Sequence, residues 1–366
     1  MIRADLGFDA RWIGIGFGTY FAASSIVSFH AGVVGERLGS RYSMWLGIAT
    51  TTISLLGIAY LAQTMLAVFA FMAFAGFGNA IIQPAANLAI ARGVRANRQG
   101  LAFGAKQAAL PVASSIGGFA VPLLGLTLGW RSAYLAAALL AVVAAVLPLP
   151  DPPGPVSTRR RVLNFRGAPA SLWMLNAGGM LGTAATFAMS AYLVEAAVSS
   201  GWRPGPAGTL FGVGSSLAVA SRLIIGWYSD RMTSGWMLLV GRMMIGGAAG
   251  IGLLAFLDRP VVTFLALPLA FAGAWGYSGL FVYSVVRLHP DTPASASGFI
   301  QMGVFAGAVF GPVLFGFVAD GVSFGAAWMM LAVMCLLGGV CMLLGRRLLF
   351  RERDALGPDA DVPVPD

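Results

Sequence analysis

At 366 residues, 58% of them hydrophobic and only 10% charged, with a mean hydropathy of +0.81, the chain is too apolar to bury its side chains around one or two water-surrounded cores. Its net charge of +9 is distributed as membrane proteins distribute Arg, which argues against a nucleic-acid footprint. The two cysteines, Cys335 and Cys341, share one apolar run and suggest neither a disulfide nor a metal site, and no cofactor is expected.

Met1 to Arg11 is polar and lacks the apolar core of a signal peptide. Eleven apolar runs follow, near 12–33, 42–62, 65–90, 101–125, 131–148, 171–198, 207–228, 236–256, 261–286, 295–318 and 323–345. Each holds roughly 20 residues, enough to cross ~30 Å of hydrocarbon as a helix. They are continuous and not alternating, so helices are predicted and barrel strands are not. Between the fifth and sixth runs, Pro150-Asp151-Pro152-Pro153-Gly154-Pro155 and the cluster Arg159 to Arg161 form a linker. The predicted fold class is an all-α integral membrane protein of two pseudo-symmetric helical bundles, 1–149 and 171–348, joined by a cytoplasmic linker, 150–170. A polar tail, 349–366, follows, with disorder predicted from Glu352 onward.

If the chain crosses the bilayer at every run, Arg37, Arg41, Arg92, Arg95, Arg98, Arg159 to Arg161, Arg166, Arg231, Arg287, Arg346, Arg347, Arg351 and Arg353 all fall on one side. The opposite side receives Arg3, Arg11, Arg131, Arg203 and Arg259. The Arg-rich side is read as cytoplasmic, which places the N-terminus outside and the C-terminus inside a cell membrane.

The chain also repeats itself. Gly32-Val33-Val34-Gly35-Glu36-Arg37 recurs as Gly226-Trp227-Tyr228-Ser229-Asp230-Arg231, at an offset of 194. The same offset carries Phe17-Gly18 onto Phe211-Gly212, Gly104 onto Gly298, Gln107 onto Gln301 and Gly117 onto Gly311. The first copy, continued by Leu38-Gly39-Ser40-Arg41, resembles the signature loop of the major facilitator superfamily of secondary transporters, and the second sits where that family places a counterpart. The resemblance covers nearly the whole chain. It implies six plus six helices, with this chain supplying five plus six and lacking the family's first. It also implies a gate: Gly32, Glu36, Arg37 and Arg41 in one copy and Gly226, Asp230 and Arg231 in the other would latch the cytoplasmic side, with Arg222, two turns before Asp230, reinforcing it. A hydrated positive-inside loop is the competing reading of these residues.

Lys106 is the one lysine beside 22 arginines and lies inside an apolar run, roughly 8–12 Å beyond Arg98 at ~1.5 Å per residue. A cation at that depth costs a few kcal/mol unless it faces a wet cavity or a partner. An anionic solute would supply the counter-charge; snorkelling to the cytoplasmic interface is the alternative. The Gly104-Ala105-Lys106-Gln107 run also resembles, weakly, the cyanate and nitroimidazole transporter branch. Asn79, Gln83 and Asn87 recur at i, i+4 and i+8 on one face of the third run, and Asn176, Thr183, Thr186 and Ser190 share a sector of the sixth. Both stripes are expected to line a cavity or else to bond helix to helix. Gln107, its repeat partner Gln301 and Trp275 complete the candidate solute contacts.

The expected function is transport of a small polar or anionic organic solute by alternating access, with a proton as a candidate coupling ion. A multidrug-type exporter and a truncated, non-transporting membrane protein are the alternatives. An enzyme is not expected: His-Glu-x-x-His, Gly-x-Ser-x-Gly and a close pair of intramembrane carboxylates are all absent.

Overall fold

The computed structural model describes residues 11–120, 124, 126–147 and 163–354. Met1 to Gly7, the linker stretch Pro150 to Pro155 with Arg159 to Arg161, and the tail from Ala355 lie outside the described residues. Among the described residues there is no strand, and eleven helical segments follow the eleven apolar runs in order. They are α1 (Arg11–Leu38), α2 (Ser40–Tyr60), α3 (Met65–Gly93), α4 (Gln99–Ala120) and α5 (Trp130–Val146), then α6 (Ala170–Ser199), α7 (Pro204–Ser229), α8 (Trp236–Leu253), α9 (Pro260–Leu288), α10 (Pro293–Gly321) and α11 (Phe324–Asp354). Within α9 a π-helical stretch, Leu269–Trp275, follows Pro268, whose ring cannot donate to the preceding turn.

Eight of these segments have the length and apolarity of a membrane span, and α5 is a shorter apolar helix. Large apolar side chains stand outward on them: Leu66 is 78% exposed, Phe317 75% and Val261 74%. Surfaces of that kind are stable against hydrocarbon and not against water. The chain is therefore a multi-pass membrane protein.

By contact the chain forms two compact units. One comprises Met1–Gly93, Ala109–Leu163 and Asp291–Met302; the other comprises Val94–Ala108, Asn164–Pro290 and Gly303–Asp366. In the first, α3 lies against α1 and α2, and α2 against α5. In the second, α9 lies against α7 and α8, α8 against α11, and α6 against α11 and α7. Shifting the first scheme by the sequence offset yields the contacts among α7, α8, α9 and α11 in the second, and α6 adds to them without a counterpart in the first.

Within the second unit, Gly303, Gly307 and Gly311 recur every four residues along α10 and bring its backbone onto α6. A Cβ on Gly303 would stand 2.6 Å from the carbonyl oxygen of Asn176, and one on Gly311 would stand 2.5 Å from the Cα of Ala184. Small residues permit such an approach, which gains van der Waals contact where lipid offers no hydrophobic drive.

Two helix ends extend beyond their apolar runs. α1 continues to Leu38, so Glu36 sits on a helical last turn. α11 continues to Asp354, through Glu352, where the sequence predicts disorder. Apolarity marks where a helix leaves the bilayer; good helix formers such as Leu348, Leu349, Arg351 and Glu352 carry it further.

Candidate functional site

Glu36, fully buried, accepts a hydrogen bond at Oε1 from the backbone N–H of Ala294 at 2.6 Å and a longer one from Ser295 at 3.4 Å. Both amides belong to the first turn of α10, where N–H groups have no helical acceptor and the helix dipole favours an anion. Its Oε2 lies 3.3 Å from Nη2 of Arg92, in the last turn of α3. One turn before Glu36, a Cβ on Gly32 would stand 2.5 Å from the carbonyl oxygen of Ala294, so only glycine admits this crossing. All these groups belong to the first unit.

The second unit repeats the arrangement. Asp230, at the C-terminal cap of α7, accepts from the backbone N–H of Gly100 at Oδ1, 2.6 Å, and from that of Leu101 at Oδ2, 3.0 Å, both in the first turn of α4. A Cβ on Gly226 would stand 2.5 Å from the carbonyl oxygen of Gly100. Positions 36 and 230, 32 and 226, 100 and 294, and 101 and 295 each differ by 194. The two copies therefore cap each other's helices reciprocally: an acid of the N-terminal half holds α10, and an acid of the C-terminal half holds α4.

Arg231 and Arg222 are placed differently from the sequence expectation. Arg231 does not pair with Asp230. Its Nη1 donates to the carbonyl of Trp227 at 2.9 Å and its guanidinium lies 3.6 Å from the centre of that ring. Glu36 forms an ion pair with Arg92, and Arg37 and Arg41 are exposed. Arg222 does not reach Asp230 either; it is 3% exposed and donates through Nε to the carbonyl of Trp275 at 3.2 Å and through Nη1 to that of Gln107 at 2.9 Å. It thereby joins two of the candidate solute contacts, on α9 and α4, within the second unit.

The polar stripes divide by role. Asn79 donates to Ser24 Oγ at 3.2 Å, Ser24 in turn lies 2.9 Å from the carbonyl of Gly76, and Gln83 lies 3.5 Å from Asn79 Oδ1. This part of the α3 stripe joins α3 to α1. Asn87 is fully buried. On α6, Asn176 faces the glycines of α10, Thr183 is buried near the Tyr277 side chain, and the hydroxyls of Thr186 and Ser190 turn back to carbonyls of their own helix. Gln107 and Gln301 are another matter. Gln301 is 4% exposed and Gln107 half-buried, and among the described residues neither side-chain amide makes a hydrogen bond. Lys106, half-buried, precedes Gln107 on α4. Trp275 packs edge-on against Phe271 beneath the Arg222 guanidinium.

Comparison with solved structures shows that the fold has known counterparts. The chain superposes on the human organic anion transporter MFSD10 (TETRAN) with a TM-score of 0.71 at 17% identity, covering 90% of this chain and 83% of that one. It superposes on the E. coli fucose:proton symporter FucP with a TM-score of 0.74 at 15% identity, covering 92% and 91%. For the proton:xylose symporter XylE the values are 0.73, 14%, 91% and 86%. No curated protein matches it in sequence. The sequence profile of the Major Facilitator Superfamily matches residues 1–299, most of the chain, and with the duplicated acid-capped helices and the fold this makes the protein a member of that superfamily.

Proposed function

We propose that the protein is a secondary transporter that carries a small anionic or polar organic solute across a cell membrane by alternating access, with its N-terminus outside and its C-terminus cytoplasmic. The observation that carries this reading is the reciprocal capping of α4 and α10 by Asp230 and Glu36. Each cap joins a carboxylate to the N-terminus of a helix from the other half of the sequence, through bonds that can be made in one state and released in another. In the closed state they latch the cytoplasmic side.

The candidate solute contacts are Lys106 and Gln107 in the second unit and, separately, Gln301 in the first. Lys106 supplies charge, and the two glutamines supply amides whose donors and acceptors are uncommitted among the described residues. A buried amide without a partner is costly unless a ligand or water completes it. The organic anion transporter among the structural relatives favours an anion, and the fucose and xylose symporters favour a proton as the coupling ion. The test is uptake into vesicles containing the purified protein, for small carboxylates and neutral sugars, with and without an inward proton gradient. Lys106→Met is expected to abolish carboxylate uptake, and Lys106→Arg to keep part of it, because Arg preserves charge but not geometry. Wild-type carboxylate rates in Lys106→Met would leave the lysine a snorkelling residue.

A further inference from the structure

Arg222 is the buried charge that the latch does not use. It lies on α7, 3% exposed, in a segment apolar enough to span the bilayer. A guanidinium withdrawn from water is costly unless its charge and its N–H groups are answered. Its two hydrogen bonds answer N–H groups but bring no charge, since both acceptors are backbone carbonyls. Among the described residues no carboxylate pairs with it.

Both carbonyls sit at irregularities of their helices. Pro111, four residues after Gln107, has no N–H, so the Gln107 carbonyl lacks its ordinary donor within α4. Trp275 closes the π-helical stretch of α9. Ser221, the residue before Arg222, donates to another carbonyl of that stretch, Ala272, at 2.9 Å. The guanidinium is thus held by two fixed acceptors and by the Trp275 ring, whose centre is 5.3 Å away. Of its five N–H donors the two bonds engage two, leaving three with the fork geometry that fits a carboxylate.

We propose that Arg222 is a solute-binding residue: its remaining N–H groups take a carboxylate of the solute, in a plane set by the carbonyls of Gln107 and Trp275, with Lys106 and the Gln107 amide contributing from α4. This rests on the anion-transporter reading above and narrows its solute class to small carboxylates.

The competing account is that Arg222 only replaces the hydrogen bond that Pro111 removes. The two separate in a cycle of Arg222→Gln and Pro111→Ala. Alanine returns an N–H to the Gln107 carbonyl, so it should recover the thermal stability that Arg222→Gln loses. It supplies no cation and should not recover binding. Binding of acetate, malonate and succinate to the purified full chain is measured by calorimetry, beside glucose and fucose as neutral probes. Arg222→Gln, alone or with Pro111→Ala, is expected to weaken carboxylate binding roughly 10- to 100-fold, and Arg222→Lys by less. Wild-type carboxylate affinity in the Arg222→Gln, Pro111→Ala double variant overturns the role of Arg222, and leaves the anion reading intact if Lys106→Met still loses binding. A wild-type protein that binds the neutral sugars and none of the carboxylates overturns both.

Discussion

The carboxylate of Glu36 and the backbone N–H of Ala294 meet at 2.6 Å although 258 positions separate them in the chain. Asp230 and Gly100 meet at the same distance in the second unit. The copies differ in one respect: Glu36 is fully buried and paired with Arg92, whereas Asp230 is partly exposed and depends on amides alone. A buried carboxylate that loses its charge gives up more than an accessible one, because no water replaces the bond.

Glu36→Gln and Asp230→Asn are expected to shift the protein toward a cytoplasm-open state while leaving its helices folded. A hydrogen bond to a charged group contributes about 1.5–3 kcal/mol, so each change should move the equilibrium by roughly ten-fold or more, with Glu36→Gln the larger. The measurement is labelling of a Cys introduced at Gln301 by a reagent applied from the cytoplasmic side. Unchanged labelling in the double variant would reduce both loops to hydrated positive-inside segments.

Gly32→Ala and Gly226→Ala should open the same latch without touching a charge. The added Cβ would stand 2.5 Å from a carbonyl oxygen at either site, so the facing helix must move. Gly18 and Gly212, also related by the repeat, have nothing within 4 Å of an added Cβ. Alanine there should be neutral or gain up to about 1 kcal/mol from helix propensity. Thermal unfolding in detergent and the labelling assay above distinguish the pairs, and equal effects at all four positions would show that the crossings do not depend on close approach.

The helices were legible because a span needs a long continuous apolar run, and all eleven runs have that form. The capping acids were legible because the repeat set Glu36 and Asp230 in register. Their partners were not, since backbone amides carry no residue identity and Arg92 lies 56 positions from Glu36. Arg222 was assigned to the wrong neighbour for a geometric reason. Spacing alone puts it two turns from Asp230 on one face, but helical side chains lean toward the N-terminus, which carries its guanidinium away from that acid toward Trp275. The α3 stripe was visible as polar, yet nothing local revealed that Ser24 on α1 waits for Asn79.

Asn79 and Gln301 should therefore give opposite profiles when replaced by Leu. Asn79→Leu breaks a bond between helices worth about 0.6 to 1.7 kcal/mol in membranes and should lower thermal stability with little change in solute affinity. Gln301→Leu removes an amide with no described protein partner and should lower solute affinity with stability kept. Calorimetric binding and thermal unfolding on the same preparations decide it, and a swap of the two profiles would reassign both residues.

Arginine distribution predicts that a Cys introduced at Thr158 is reached by an impermeant reagent only from the cytoplasmic side, and one at Gly201 only from outside. Labelling of intact and opened cells reads this directly. The reverse pattern would invert the orientation and place the latch on the outer face.

Glu352 ties the end of α11 to the start of α6. Its Oε1 accepts the backbone N–H of Ser171 at 3.0 Å and its Oε2 accepts the Ser171 hydroxyl at 2.5 Å. The first turn of α6 has no side-chain cap of its own, because Pro169 occupies the cap position. A carboxylate there answers an orphan N–H and meets the positive end of the helix dipole. Glu352→Ala removes both bonds and the charge and should cost about 1–3 kcal/mol, seen as a lower unfolding temperature. Ser171→Ala leaves the backbone bond in place and should cost less. Adding salt should narrow the difference between wild type and Glu352→Ala, since the dipole contribution is screened. Solute affinity should be unchanged in both variants, because Ser171 and Glu352 form a helix-end cap and are not among the proposed solute contacts on α4. An unfolding temperature indifferent to Glu352→Ala would mean that the extension of α11 past the membrane does not stabilise the second unit.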